Sequence, residues 1–227
     1  MEVIETKNLT KIYNPDTIPV HAIDDVSLRI EKGEFTAIVG PSGCGKTSLL
    51  NLLGGLDEPT SGTVEIGGMK LNGLSEAKLT DFRLKNIGFV FQSYNLIPVL
   101  SARENIEFIM LLQQSDKKKR KERVDELLTK MKIEKEGDRR PSELSGGQQQ
   151  RVAVARALAS KPAFILADEP TANLDSHSTS SLLDIMSQMN QEEGATFIFS
   201  THDQRVIDKA RRVITLEDGK IVKDERK

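Results

Sequence analysis

The chain has 227 residues, 37% of them hydrophobic, so it is long enough to bury a substantial core without cross-links. Its 32 basic and 34 acidic residues give a net charge of -2, which excludes a general electrostatic attraction to nucleic acid or anionic membranes. A single cysteine, Cys44, excludes an internal disulfide and a cysteine metal cluster, and is typical of a reducing compartment such as the cytoplasm.

The N-terminal sequence MEVIETKNLTKIY has neither the apolar block nor the cleavage site of a secretion signal. No apolar run approaches the roughly 20 residues that span a bilayer. We therefore expect a cytoplasmic protein that reaches a membrane only from outside it.

Two kinds of strand pattern follow one another along the chain. The first 34 residues and residues 62–68 alternate apolar with polar side chains, which predicts a small antiparallel sheet with one wet face. Short apolar runs alternate with helical patterns, which predicts an α/β core with a mainly parallel sheet. The predicted core strands are FTAIV (35–39), IGFVFQ (87–92), FILAD (164–168) and TFIFS (196–200).

Helical spacing replaces the strand signals between Ser101 and Ser160, which predicts an inserted helical subdomain over about 93–160. The core and its antiparallel β part would then be formed by 1–92 and 161–227. Because the sequence shows no repeats or long linkers, we expect one domain over 1–227. The segment RRVITLEDGKIV predicts a hairpin at Asp218-Gly219 on the edge of the sheet.

A phosphate-binding loop follows the strand FTAIV. The segment Gly40-Pro-Ser-Gly-Cys-Gly-Lys46-Thr47 matches the pattern G-x-x-x-x-G-K-[ST], and it opens the helix TSLLNLL. Its glycines let backbone N–H groups approach the β- and γ-phosphates. Lys46 supplies a positive charge to those phosphates, and Thr47 supplies a hydroxyl ligand for magnesium.

The strand FILAD delivers two carboxylates to its carboxyl end, where ligands bind in open α/β sheets. Asp168 is predicted to bind magnesium directly or through a second shell. Glu169 lies one residue further and points elsewhere, so it is predicted to act as the general base for an attacking water. The alternative is a solvated acidic pair.

Gln92 and His202 follow two other predicted core strands, so they would face the same crevice. His202 is predicted to hydrogen-bond the γ-phosphate, and Gln92 to reach magnesium or the water. A histidine in a purely structural role is the alternative for His202. His21 and His177 lack this setting and are assigned to the surface.

A second glycine pair occurs in LSGGQQQR (144–151), which has no preceding core strand and no phosphate-loop lysine. Ser145, Gly146 and Gly147 would offer a hydroxyl and N–H groups at a positive helix end, which is half of a phosphate site. Two copies packed head to tail would complete each other's sites. The alternative is an ordinary helix N-cap.

These motifs occur in an order and spacing that resemble the ATP-binding subunits of ABC transporters over essentially the whole chain. The motifs are GPSGCGKT, LSGGQ, FILADEP, NLD at Asn173 to Asp175, and His202. The resemblance implies Mg²⁺-dependent ATP hydrolysis in a head-to-tail homodimer, with Ser145 and Gly147 contacting the partner's nucleotide. Tyr13 would stack on adenine, or else be an ordinary strand tyrosine, and Asp175 would lie in a loop crossing the dimer axis, or cap a helix, or both.

Motifs and resemblance together give three sets of predicted site residues. The catalytic residues are Glu169, His202, Lys46 and Gln92, and the metal ligands are Thr47, Gln92 and Asp168. The ATP-binding residues are Tyr13, Gly40, Ser42, Gly43, Cys44, Gly45, Lys46, Thr47, Ser48, Gln92, Ser145, Gly146, Gly147, Gln148, Asp175 and His202. Cys44 replaces a serine frequent in the family, and we hypothesise that its oxidation or alkylation blocks ATP binding.

Three longer segments resemble one branch of that family, which includes lipoprotein-releasing systems, macrolide and toxin exporters, and peptide-antibiotic resistance transporters. They are LLGGLDEPTSG, IGFVFQSYNLIP (87–98) and RPSELSGGQQQRVAVARAL (140–158). The branch implies two integral-membrane permease subunits, a position on the cytoplasmic face of the inner membrane, and no nucleic acid partner. The alternatives are a non-transport ABC ATPase acting on nucleic acid or ribosomes, and an ATP-binding switch without turnover.

Two surface segments keep two interpretations each. Tyr94, Leu96, Ile97 and Leu100 would form either a groove for a permease helix or the core of the helical lobe. The charge run KKKRKER (117–123) would be either a solvated helix face or a contact to lipid headgroups.

Overall fold

The computed structural model describes residues 2–227. In chain order its elements are β1 (Glu2–Tyr13), β2 (Val20–Glu31), β3 (Phe35–Val39), α1 (Lys46–Leu53), β4 (Ser61–Ile66), β5 (Met69–Lys70), α2 (Glu76–Asn86), β6 (Ile87–Val90), α3 (Ala102–Leu112), α4 (Lys117–Lys130), α5 (Gly146–Ala159), β7 (Phe164–Asp168), α6 (Ser176–Glu193), β8 (Phe197–Ser200), α7 (Gln204–Lys209), β9 (Arg212–Glu217) and β10 (Lys220–Arg226). Short 3-10 turns cover Glu134–Glu136 and Pro141–Glu143.

Two sheets form the β structure, as the two strand patterns predict. β1, β2, β4 and β5 make a four-stranded antiparallel sheet in the order β2-β1-β4-β5. The second sheet has the order β10-β9-β3-β8-β7-β6, in which neighbours are parallel except for the hairpin β9-β10 at one edge. The predicted α/β class with its antiparallel β part is confirmed, as is the edge hairpin.

Alternation along the core strands divides the buried side chains between two layers. In β8, Phe197 and Phe199 pack with α5 and α6 on one face, while Ile198 packs with α1 and the antiparallel sheet on the other. Ile165 and Leu166 of β7 are divided in the same way. Since successive strand side chains point to opposite faces, these continuous apolar runs are buried on both sides.

One predicted strand end is wrong. The sequence places Gln92 at the end of a strand, but β6 stops at Val90, its last partner being Ala167 of β7. The chain then turns through Tyr94 and Asn95, which have φ values of 61° and 48°. Tyr94 N donates to the carbonyl of Phe91 at 3.2 Å, which closes a turn over residues 91–94, so Gln92 lies in the turn beyond the strand.

The charge run 117–123 is only in part a solvated face. Its lysines are exposed, but the side chain of Arg123 is 8% exposed and donates to Glu193 of α6 and to the carbonyl of Leu158. Arg120 is held by Glu107 of α3. The two arginines therefore fasten α4 to its neighbours, and only the lysines fit the solvated alternative.

Among the helices of residues 2–227, none combines the length and apolar character that crossing a bilayer requires.

Candidate nucleotide site

The carboxyl ends of the parallel strands gather the predicted phosphate and magnesium residues at one edge of the sheet. β3 runs into the loop 40–45, which opens α1 at Lys46. Gly40, Gly43 and Gly45 have φ values of 152°, 78° and 105°, in the left-handed region that only glycine enters without strain. The loop therefore requires glycine at these positions.

Close packing fixes the same loop from below. A Cβ on Gly45 would lie 2.1 Å from the carbonyl oxygen of Ala22, and one on Gly40 would lie 2.1 Å from that of Leu216. Helix α1 has no side-chain cap at Gly45 and no acidic residue in its first turn. Its N-terminal N–H groups are thus presented to an anion, which is the arrangement that a phosphate needs.

The other loop residues lie around this cradle. Lys46 Nζ donates to the carbonyls of Gly40 and Pro41, at 2.8 and 3.0 Å, so the Lys46 side chain folds back over the loop. Ser42 is exposed at the tip. Cys44 is buried, at 4% exposure, so an adduct on its thiol would have to displace the loop. That its modification blocks ATP binding stays a prediction.

Thr47 and Asp168 meet across the sheet edge, as the parallel arrangement predicts. Thr47 Oγ1 lies 3.2 Å from both carboxylate oxygens of Asp168, and the hydroxyl of Ser200 also donates to that carboxylate. Within residues 2–227 no cluster of three or more His, Cys, Asp or Glu side chains is placed to hold a metal. This donor set fits Mg²⁺, which binds few protein oxygens and completes its shell with phosphate and water.

Glu169 and His202 form a second pair beside the first. His202 Nδ1 lies 2.8 Å from Glu169 Oε1, while Glu169 Oε2 is buried without a hydrogen-bond partner among the described residues. Glu169 has a φ of 45°, a conformation that costs a non-glycine residue about 1–3 kcal/mol. A carboxylate oxygen that is buried without a hydrogen-bond partner is suited to accept a proton from a bound water.

The segment 144–151 starts α5 on a different part of the molecule. Ser145 caps the helix, its Oγ accepting from Gln148 N at 3.3 Å while Gln148 Oε1 accepts from Ser145 N at 2.9 Å. A Cβ on Gly146 would lie 2.9 Å from the Tyr94 hydroxyl, and one on Gly147 would lie 3.0 Å from Ser178 Oγ. No hydrogen bond within residues 2–227 joins 145–148 to the phosphate loop.

Asp175 lies close to this helix end, at the N-cap of α6. Its carboxylate accepts from the N–H of Ser178 at 2.9 Å and from its hydroxyl at 2.6 Å. The Ser178 hydroxyl first, and then the N–H, hold the pKa of Asp175 below its ordinary value. The predicted capping role is confirmed, and the role at a dimer axis stays a prediction.

Comparison with known proteins identifies this arrangement. Residues 23–172 match the family described as ABC transporter. The chain belongs to the ABC transporter family. The predicted family is therefore confirmed, and with it the assignment as an ATP-binding cassette.

Individual relatives support the predicted branch. The chain is 43% identical, over 227 residues, to the macrolide export ATP-binding/permease protein MacB of Mannheimia succiniciproducens. The match includes 100% of this chain and 35% of that protein. The chain thus spans about a third of the length of that macrolide exporter. It is 46% identical to the ABC transporter ATP-binding protein MJ1508 of Methanocaldococcus jannaschii, over 97% of this chain and 98% of that one.

Two solved structures of MJ0796, an ABC transporter cassette, superpose with a TM-score of 0.90 at 42% identity and cover 98% of both chains. MJ0796 also comes from Methanocaldococcus jannaschii. Both structures are dimeric, and one is a post-hydrolysis state bound to ADP and Pi.

The structure also shows contacts around Gln92 that the sequence does not predict. Asn173 Nδ2 donates to the carbonyl of Gln92 at 3.0 Å, and Arg156 donates to the carbonyls of Tyr94 and Asn95 at 3.0 and 2.6 Å. The Gln92 turn is therefore held by α5 and by the loop before α6, while the Gln92 side chain is exposed. Tyr94 and Asn95 both have a positive φ. Asparagine is enriched at positive φ, so Asn95 was a signal that could have indicated the turn, whereas Tyr94 gives none.

Proposed function

We propose that this ABC cassette hydrolyses Mg-ATP as a head-to-tail homodimer and thereby drives a membrane permease. One observation carries the proposal: Thr47 lies against Asp168 and His202 against Glu169 beside the phosphate loop, while no hydrogen bond within residues 2–227 joins the signature segment 145–148 to these residues. A second copy, turned by a two-fold axis, would bring its Ser145 to the first copy's γ-phosphate. The dimeric structures of MJ0796 support this arrangement.

Each residue then has a defined task. The loop glycines and α1 N–H groups bind the phosphates, Lys46 adds positive charge at the β- and γ-oxygens, and Thr47 and Asp168 hold the metal. Mg²⁺ supplies neutralisation of the charge that develops on those oxygens. Gln92 reaches the metal or the water from its turn.

The proton transfer falls to Glu169. Its unpartnered Oε2 takes the proton of the attacking water, an effect of about 10²- to 10⁴-fold in rate. His202 orients the carboxylate through Oε1 and donates to the γ-phosphate from its other ring nitrogen. In the partner copy, Ser145 and Gly147 close the γ-phosphate from the opposite side.

The permease and the location follow from the branch. The macrolide export relatives are ATP-binding/permease proteins, which supports a permease partner and a macrolide as cargo. Two permease subunits, and a peptide or lipoprotein as the alternative cargo, are further parts of the proposal. The cassette would then work at the cytoplasmic face of the inner membrane. In the segment after Gln92, Leu96 packs against the core whereas Val99 is 69% exposed, so Val99 is the apolar side chain open to a permease helix.

Replacing the proposed general base tests this function. Glu169→Gln should reduce ATP turnover by about 10²- to 10⁴-fold. With saturating Mg-ATP it should also convert the protein from monomer to dimer in analytical ultracentrifugation, because the closed site cannot hydrolyse. Glu122→Gln, which removes an exposed carboxylate from α4, is the matched control and should behave as the unmodified chain.

Two results would contradict the proposal. Turnover of Glu169→Gln equal to that of the unmodified chain would exclude the general base. A Glu169→Gln protein that binds Mg-ATP yet sediments as a monomer at every concentration would exclude the shared site.

A further inference from the structure

Two side chains, those of Lys11 and Asp57, contact the tyrosine that is proposed to stack on adenine. The Tyr13 hydroxyl donates to Asp57 Oδ2 at 2.7 Å, and Lys11 Nζ lies 2.6 Å from Asp57 Oδ1. The same ammonium lies over the Tyr13 ring, 4.9 Å from its centroid. Lys11, Tyr13 and Asp57, which we call the Tyr13 cluster, therefore fix the ring by its hydroxyl and from one face.

The cluster is partly removed from water, which strengthens its bonds. The side chains of Lys11 and Asp57 are 14% and 27% exposed. Partial burial acts to raise the pKa of Asp57, but hydrogen bonds from Lys11 and Tyr13 outweigh it and hold that pKa below its ordinary value. Burial first, and then the bond to Asp57, raise the pKa of the Tyr13 phenol, so at neutral pH the phenol is the donor and the carboxylate the acceptor.

The cluster is anchored to the helix that carries the phosphate loop. The N–H groups of Leu56 and Asp57 both bond to the carbonyl of Asn51 in α1, at 2.8 and 3.4 Å. One helix thus fixes both the phosphate loop at its start and the support of the aromatic ring at its end.

We propose that Asp57 and Lys11 are positioning residues that set the distance between the Tyr13 ring and the phosphate loop. This inference rests on the proposed function, in which Tyr13 stacks on the base. A nucleotide joins its base to its phosphates through a ribose of fixed length, so a ring held to α1 selects ligands that reach both sites at once. Lys11 lies over one face of the ring, so the base would stack on the other.

The base-dependent part of the affinity tests the inference. Asp57→Ala should raise the ATP Kd by about tenfold in calorimetry, the size of one lost hydrogen bond to a charged group. The Kd of inorganic tripolyphosphate, which has phosphates but no base, should not change. Tyr13→Phe should weaken ATP by a similar factor, and the double variant should be no weaker than Asp57→Ala alone, because both changes break the same bond.

Two further variants keep the test decisive. Asp57→Asn preserves the shape of the side chain and replaces Asp57→Ala if that variant melts early, with a loss of about threefold expected because only the charge is lost. Glu58→Gln removes a neighbouring exposed carboxylate and should leave the ATP Kd as it is. A loss of ATP affinity in Glu58→Gln equal to that in Asp57→Asn would mean a general charge effect and would overturn the inference.

A spectroscopic measurement reports the contact without any ligand. The chain has two tyrosines and no tryptophan, so in a Tyr94→Phe background the alkaline absorbance change comes from Tyr13 alone. Adding Asp57→Ala should lower the pKa of Tyr13, because the bond that helps to raise it is gone. An unchanged pKa would show that the contact does not exist in solution.

Tyr13→Ala separates this inference from the function beneath it. If Tyr13→Ala weakens ATP but not tripolyphosphate while the Asp57 variants leave both unchanged, the inference fails and the base site stands. If Tyr13→Ala also leaves the ATP Kd unchanged, the base site itself is wrong.

Discussion

The phosphate loop and the signature segment both place glycines at the start of a helix, but they treat the helix end in opposite ways. At α1 the N-cap is Gly45, with φ 105° and no side-chain cap. At α5 the N-cap is Ser145, and a capping box with Gln148 bonds the helix end to itself. The N–H groups at the start of α1 are therefore open to an anion, whereas those at the start of α5 already have side-chain hydrogen bonds within the chain.

This difference explains why one chain carries both a phosphate loop and a signature segment. A loop whose glycines are packed against backbone carbonyls is rigid before a ligand arrives, and it can select a triphosphate alone. The Ser145 hydroxyl accepts from Gln148 N and still has its own O–H to donate, and under the proposed function it would donate to a phosphate oxygen that a partner copy delivers. Under the proposed function, the two helix ends would therefore act in sequence, with nucleotide binding at α1 first and closure by α5 of the partner copy second.

The glycines of the phosphate loop give the largest expected effect. In Gly45→Ala the new Cβ would meet the Ala22 carbonyl at 2.1 Å, and backbone cannot yield cheaply, so we expect the ATP Kd to rise by more than about 10²-fold. Calorimetry measures this change, and circular dichroism checks that the protein stays folded.

Gly43→Ala is the matched control for that clash. Gly43 also has a positive φ, 78°, but a Cβ there meets nothing within 4 Å. Only the backbone strain remains, about 1–2 kcal/mol, so a loss near tenfold is expected. Equal losses in the two variants would show that the packing against Ala22 does not shape the loop.

The sequence predicted the phosphate loop and its neighbours because short-range pattern and parallel topology are enough for them. Glycine spacing set the loop, and the rule that parallel strands end at one edge brought Thr47 to Asp168. The same rule would have found Ser200, which lies opposite Asp168 in the β7-β8 register, had the polar end of TFIFS been considered.

Two sets of contacts could not be predicted from the sequence, for physical reasons. Asp57 and Tyr13 are 44 positions apart and meet through packing that no local pattern encodes. The charge of the run 117–123 predicts a solvated face. Its helical phase, however, places Arg120 and Arg123 three residues apart on the side that faces the neighbouring helices. Composition describes the average polarity of a segment, whereas the position of a residue around the helix determines whether its side chain is buried or exposed.

Removing the serine cap of α5 tests the second helix end, and it should have the next largest effect. Ser145→Ala should cost about 1 kcal/mol in the free energy of unfolding, as other N-caps do. It should also reduce ATP turnover by about 10²-fold, because the hydroxyl is proposed to bind the partner's γ-phosphate. Chemical denaturation and steady-state ATPase assays measure the two effects.

Ser101→Ala is the control that separates them. Ser101 caps α3 with the same capping box, its Oγ accepting from Glu104 N at 3.2 Å. Its loss of stability should match that of Ser145→Ala, while its turnover should change by less than about twofold. If both variants lose turnover alike, Ser145 is a helix cap and nothing more.

The smallest expected effect concerns the connection between the two helix ends. Arg156 of α5 holds the carbonyls of Tyr94 and Asn95 with no carboxylate beside it, and burial lowers the pKa of its guanidinium. Arg156→Lys keeps the charge but reaches one carbonyl at most, so unfolding should become easier by about 1 kcal/mol. The turn that carries Gln92 would loosen, and kcat should fall by about threefold while the KM for ATP stays the same.

Arg139→Lys, an exchange on an exposed side chain, should change neither stability nor kcat. If Arg156→Lys loses stability but keeps its kcat, the hydrogen bonds from Arg156 to Tyr94 and Asn95 have a structural role only. A fall in kcat at constant KM, by contrast, means that nucleotide still binds at the phosphate loop and that the step after binding has become slower. The Tyr94 hydroxyl lies against Gly146 at the start of α5. A looser turn would therefore disturb the position of the signature segment as well as that of Gln92.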